Sequence, residues 1–139
     1  ITHAEIHGRV TADDVGLGRM VSAKKDCIGK AASLRPGFVE PGREQLVGLI
    51  PVDRADVLSA GAHLYNETAA PVRENNQGYV TSVAPSVTMG HWLGLGFLKN
   101  GRARHGDVVR MIDGLRGHKV SVKVVDPVFY DPDGGRMRG

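Results

Sequence analysis

The sequence predicts a mainly β protein: six or so short strands forming a sandwich or barrel from about residue 43 onward, preceded by a short segment containing a small helix. Three observations carry this. Apolar runs of strand length recur at roughly 8–12 residue spacing, bounded by turn residues. Glycine is abundant, at 19 of 139 residues, as many turns require. Aromatics are only 5% of the chain, so a core must be built from Val, Leu, Ile and Ala.

Taken in order, Thr11 is an N-cap candidate with Asp13 and Asp14 in a first turn, but Gly16 and Gly18 end that signal. Ile28 to Leu34 (IGKAASL) predicts a short helix that stops before Pro36. Arg43 to Val52 holds a buried-type strand. Asp53 to Ala60 is polar and tolerates helix, and Gly61 turns the chain toward a short strand at Ala62 to Tyr65. Ala69 to Gln77 is a loop or hairpin, with Asn75-Asn76 as turn residues. Gly78 to Thr88 alternates, with Tyr79, Thr81 and Val83 on one face and Val80 and Ser82 on the other. Gly90 marks a turn into a nearly all-apolar strand, His91 to Leu98, and Asn100-Gly101 is the strongest short turn signal of the chain. Asp107 to Ile112 and His118 to Val125 are two further strands joined by a glycine-containing turn. Pro127 begins a last extended segment, closed by Asp131-Pro-Asp-Gly-Gly.

Charge and composition exclude several function classes. The net charge of +3 is mild and no run of five or six like charges occurs, which argues against nucleic acid as a partner. No apolar run reaches 18 residues, so no membrane-spanning helix is expected. The single Cys27 excludes an internal disulfide framework and points to a reducing, cytoplasmic setting. The opening ITHAEIHGRV reads as cut from a longer chain.

Few candidates for chemistry stand out. His3 and His7 would share a helix face, but Glu5 is one residue late for the zinc-protease pattern, so no metal site is expected. Gly90, Gly94 and Gly96 have the wrong spacing for a phosphate loop and suit a strand that another backbone approaches closely. Cys27 has Lys24 and Lys25 nearby but no His, and is expected to be buried and inert. Asp131-Pro-Asp-Gly lacks the later ligands of a calcium loop and reads as a turn. Ser82, Ser86 and Thr88 have no recognisable base and are expected to bond across to neighbouring strands. No catalytic residue emerges.

The ordered series GLGRMVSAKKDCIGKAASLR (16–35), QLVGLIPV (45–52), GYVTSVAPSVTMG (78–90), WLGLGFLKNGRARHGDVV (92–109) and VKVVDPVFYDPDGGRMRG (122–139) resembles the glycine-cleavage T-protein, or aminomethyltransferase, family. The tail DPVFYDPDGGRMRG, together with VSAKKDCIGK, is most similar to the branch formed by alpha subunits of heterotetrameric sarcosine oxidases. The resemblance implies that residues 1–40 are the tail end of a folate-binding domain and 41–139 an antiparallel C-terminal barrel. It implies tetrahydrofolate as the cofactor of the longer chain, and flavin and NAD elsewhere in the complex, not bound here. Partners would be the other oxidase subunits and the missing N-terminal part. The family's catalytic acid and its pterin-holding Glu would lie upstream of residue 1. Arg19 stands where the family often has Trp beside the folate, and Tyr130 matches a tail segment that approaches the ligand. Both are therefore expected to face folate. Cys27 replaces a usual Phe, which implies burial, and Ser86-Val-Thr-Met-Gly90 lacks the family's Pro in its turn.

Overall fold

In the computed structural model, which describes residues 4–138, six antiparallel strands close into a barrel in the order β1-β4-β3-β2-β5-β6. The strands are β1 (Glu44–Pro51), β2 (His63–Asn66), β3 (Asn76–Ser86), β4 (His91–Lys99), β5 (Val108–Asp113) and β6 (His118–Val125). Pairing of β1 with β6, from Gly48 opposite Val125 to Pro51 opposite Val122, completes the ring and leaves no free edge. Three four-residue helices lie outside it: α1 (Lys30–Ser33), α2 (Pro36–Val39) and α3 (Gly135–Arg138).

The barrel follows from alternation. Along β6, Val120, Val122 and Val124 are buried in the core, while Lys119 and Lys123 face out. Val47 and Leu49 of β1, Leu64 of β2 and Met111 of β5 fill the same interior with no accessible surface. Between Val47 and Leu49, Gly48 points outward under the tail. A methyl group there would stand 2.5 Å from the Asp126 carbonyl oxygen and 2.7 Å from the Phe129 ring. The extended segment after β6 therefore packs over β1 only because residue 48 has no side chain.

Several local expectations are revised. The simple alternation of β3 breaks at Thr81, where the pairing with β4 shifts register between Val80 and Ser82. This bulge lets both Val80 and Val83 reach the core, while the Thr81 hydroxyl donates to the Leu95 carbonyl at 3.0 Å. Asn100, at φ 54°, opens a 3-10 turn at Gly101–Arg104 and not a hairpin, because β4 and β5 are not neighbours. The helix expected over Ile28 to Leu34 shrinks to α1, and Pro36, at a first-turn position, starts the unforeseen α2. Asp53 to Ala60 forms bends and turns with no helix. Gly96 does meet a close backbone approach, its hypothetical Cβ lying 2.8 Å from the Tyr79 carbonyl oxygen.

Candidate functional site

Residues 5–14 lie against the outer face of β1, β4 and β3 and are held there mainly by polar contacts, while residues 19–29 are exposed. The Glu5 side chain is fully buried and accepts a hydrogen bond from the Ser82 hydroxyl at 3.0 Å. The backbone N–H of Arg9 donates to Nδ1 of His7 at 3.3 Å, which assigns the imidazole proton to Nε2, 3.4 Å from the Tyr79 hydroxyl. The His7 ring also meets Phe97 edge-on at 6.4 Å. His3 of the same motif lies outside the described residues.

Asp14 is the central polar anchor. Thr11 does not start a helix. Its backbone N–H and hydroxyl donate to Asp14 at 2.8 and 2.9 Å, while the Asp14 N–H donates back to the Thr11 hydroxyl. That reciprocal arrangement resembles a capping box closed over a single turn. The Arg43 guanidinium, at the start of β1, donates from Nε to Oδ1 of Asp14 at 3.0 Å and from a terminal nitrogen to Oδ2. Its other hydrogen bonds reach the carbonyls of Gly37 and Arg9, and its plane sits 5.2 Å from the Phe38 ring. Burial alone would raise the Asp14 pKa; the hydrogen bonds from Arg43 and Thr11 outweigh it and hold the carboxyl below its ordinary value. Arg102 pairs with Asp13 further along the seam, where both side chains are open to solvent.

Two clefts flank the Asp14–Arg43 pair. One, of about 410 Å³, lies over the outer faces of β1, β4 and β3 and is lined by His7, Arg9, Glu44, Tyr79, Phe97 and Lys99, among others. Burial raises the pKa of Glu44 there, against the opposing influence of Lys99, Arg9, Arg43 and His7. Burial likewise raises that of Tyr79. The other cleft, of about 790 Å³, has an apolar wall of Val21, Leu34, Phe38 and Val39 facing Asp13, Asp14, Lys30 and Arg43. Its cations are occupied: Lys30 donates to the carbonyls of Ala23 and Lys25.

The residues singled out from sequence fall elsewhere. Arg19 is exposed on the 3-10 turn Gly18–Met20. Tyr130 is about half exposed, with the Arg136 guanidinium 5.2 Å from its ring centre. Neither lines these clefts or touches the other. Cys27 is exposed, contrary to the burial expected of it, because the loop carrying it lies away from the barrel core. Among the described residues no group of three or more His, Cys, Asp or Glu could hold a metal. Asp131 instead accepts from the N–H groups of Gly135 and Arg136 and caps α3. The hydroxyls also depart from expectation: Ser82 bonds Glu5, and Ser86 accepts from Met89 N–H within its own turn. Asp14 stood out only as a first-turn acid after Thr11 and Glu5 only within the His3/His7 motif; their pairing with Arg43 and Ser82, 29 and 77 residues away, carried no sequence signal, nor did Glu44 and Lys99.

Residues 44–131 match the family model of the glycine cleavage T-protein C-terminal barrel domain. The chain is 42% identical, over 99% of its length, to a protein of Rhizobium meliloti named sarcosine oxidase subunit alpha. It is 36% identical to a protein of that name from a Corynebacterium species. It spans only 14% of the length of each. It is also 34% identical, over 91% of its length, to an aminomethyltransferase of Saccharopolyspora erythraea, of which it spans 32%. Among solved structures, the aminomethyltransferase T of the glycine cleavage system from Bartonella henselae shares the fold, with a TM-score of 0.69, 24% identity, and coverage of 89% of this chain and 33% of that one.

Proposed function

The chain belongs to the glycine cleavage T-protein C-terminal barrel family, and we propose that it is the closing barrel of the alpha subunit of a cytoplasmic, multi-subunit sarcosine oxidase. The observation that carries this reading is the identity to sarcosine oxidase alpha subunits over essentially the whole chain, barrel and strapped segment together. The reaction would convert sarcosine, dioxygen and water to glycine, formaldehyde and hydrogen peroxide. With tetrahydrofolate present, the one-carbon unit leaves as methylenetetrahydrofolate.

The chain's part in this is support. The larger seam cleft offers an apolar wall, Val21, Leu34 and Phe38, against which a flat ring would pack. Its cations are already satisfied by protein acceptors, so the described residues fit one wall of a folate site and not a whole one. Bound tetrahydrofolate would supply a nucleophilic carrier for the one-carbon unit. Arg19 would meet a folate carboxylate, and Tyr130 would pack beside the ligand from the tail. Flavin and NAD would bind to other parts of the assembly, and the catalytic residues would lie outside this chain. The boundary between the folate-binding part and the barrel would fall near residue 41.

The test uses the native protein with whatever co-purifies. A flavin spectrum, several partner chains and sarcosine-dependent oxygen uptake are expected. Arg19→Ala and Tyr130→Ala should leave oxygen uptake intact while weakening tetrahydrofolate binding about tenfold each, roughly the loss of one charged or aromatic contact. A colourless protein with no uptake, but with folate-dependent aminomethyl transfer, would favour the second reading. That reading, the barrel of an aminomethyltransferase, is supported by the Saccharopolyspora relative.

A further inference from the structure

The smaller seam cleft holds charges of both signs that share a space without touching. Glu44 of β1 and Lys99 of β4 are directly opposite in register. No ion pair within 4 Å joins Glu44, Lys99 or Arg9 to any described residue. Lys99 instead turns away and donates to the Asn76 carbonyl at 3.1 Å. Arg43 also lines the cleft, but its hydrogen bonds are committed to Asp14 and to the carbonyls of Gly37 and Arg9. The cations left for a ligand are thus Arg9, whose guanidinium acts on Glu44 from a distance but makes no ion pair with a described residue, and the remaining donors of Lys99.

We propose that this cleft binds a small zwitterion, an amino acid in the broad sense, with its ammonium on Glu44 and its carboxylate on Arg9 and Lys99. Opposite charges that face one cavity yet remain apart are bridged best by a ligand carrying the complementary pair in the reverse order. The rings of Tyr79 and His7 form an adjoining wall, and a volume of about 410 Å³ accommodates such a molecule with room to spare. Glu44 is the group most in need of a donor. Its carboxyl is pushed up by burial, and the surrounding cations do not compensate. The site is built jointly by the barrel and the segment strapped across it, and it does not depend on the oxidase reading.

The test is a calorimetric titration of the full-length native protein with glycine, β-alanine and 4-aminobutyrate, whose charges are progressively further apart. Acetate and methylammonium serve as the two half-ligands. One member of the series should bind saturably and at least about tenfold more tightly than either half-ligand. Glu44→Gln and, separately, the exposed Arg9→Ala should each weaken that binding by about tenfold, with the circular dichroism of the protein unchanged. Acetate binding as tightly as any amino acid would reduce the cleft to a plain anion site and overturn the proposal. So would the absence of any saturable binding that Glu44→Gln weakens.

Discussion

The barrel and the segment strapped across it are stabilised by different physics. The barrel interior is a closed apolar cluster, with Val47, Leu49, Leu64, Val109, Met111, Val122 and Val124 entirely inaccessible. Residues 4–42 contribute nothing to that cluster. Several of their large apolar side chains stand in solvent, Met20 at 75% and Ile28 fully, while the only fully buried side chains among the described residues of this segment are two carboxylates, Glu5 at 0% and Asp14 at 3%. Burying hydrocarbon is non-directional and tolerant of small shifts. Burying a carboxylate is favourable only where its partners are placed to meet it. The barrel should thus persist when the strap is loosened, whereas the strap depends on a few hydrogen bonds from Arg43, Thr11 and Ser82.

The largest effect should come from the barrel itself. Leu49→Ala removes a fully buried side chain at the closing strand and should cost about 2–5 kcal/mol in chemical denaturation, with both regions unfolding together. If only the strap were lost, the two regions would not differ in the way described. Asp14→Asn should release the strap by about 1.5–3 kcal/mol, the cost of losing charged hydrogen bonds to Arg43. Hydrogen exchange would show faster exchange confined to residues before 43, with barrel amides still protected.

Acid should mimic that variant. The folded-state pKa of Asp14 lies below its ordinary value of 3.8, so its contribution is fully present above that value. It is lost as the pH falls through the folded pKa. Exchange in the strap should therefore accelerate in that window before the barrel opens. Removal of the acceleration by Asp14→Asn would assign it to this carboxylate. A third anchor joins tail and barrel: Gly48→Ala should displace Phe129 and cost about 1–3 kcal/mol, readable as increased exposure of the tail to protease. The smallest effect belongs to Arg102→Ala. Its partner Asp13 is open to solvent, and denaturation should shift by no more than about 1 kcal/mol.

Most strands were legible in advance because alternation is a local property. The run VSVKVV predicts one buried and one exposed face wherever the strand pairs. Turns were legible for the same reason: Gly90 and the Gly-bounded link between β5 and β6 stand where turns form. Asp113 illustrates how local that hairpin chemistry is. Hydrogen bonds from the Arg116 side chain and then its N–H, joined by that of Leu115, hold the Asp113 carboxyl at about 2. The bulge at Thr81 was not legible, because it depends on which β4 residue lies opposite.

By itself, the sequence determined the β class, the number of strands and the apolar residues that fill the interior. Only the tertiary structure decided that β1 closes on β6, that the tail lies over Gly48, and that Asp14 finds Arg43 across 29 residues. The reason is one of range. Hydrophobic periodicity and turn chemistry act over a few neighbouring residues and leave a mark in the order of side chains. Charge pairing across a seam acts through space, and no spacing along the chain records it.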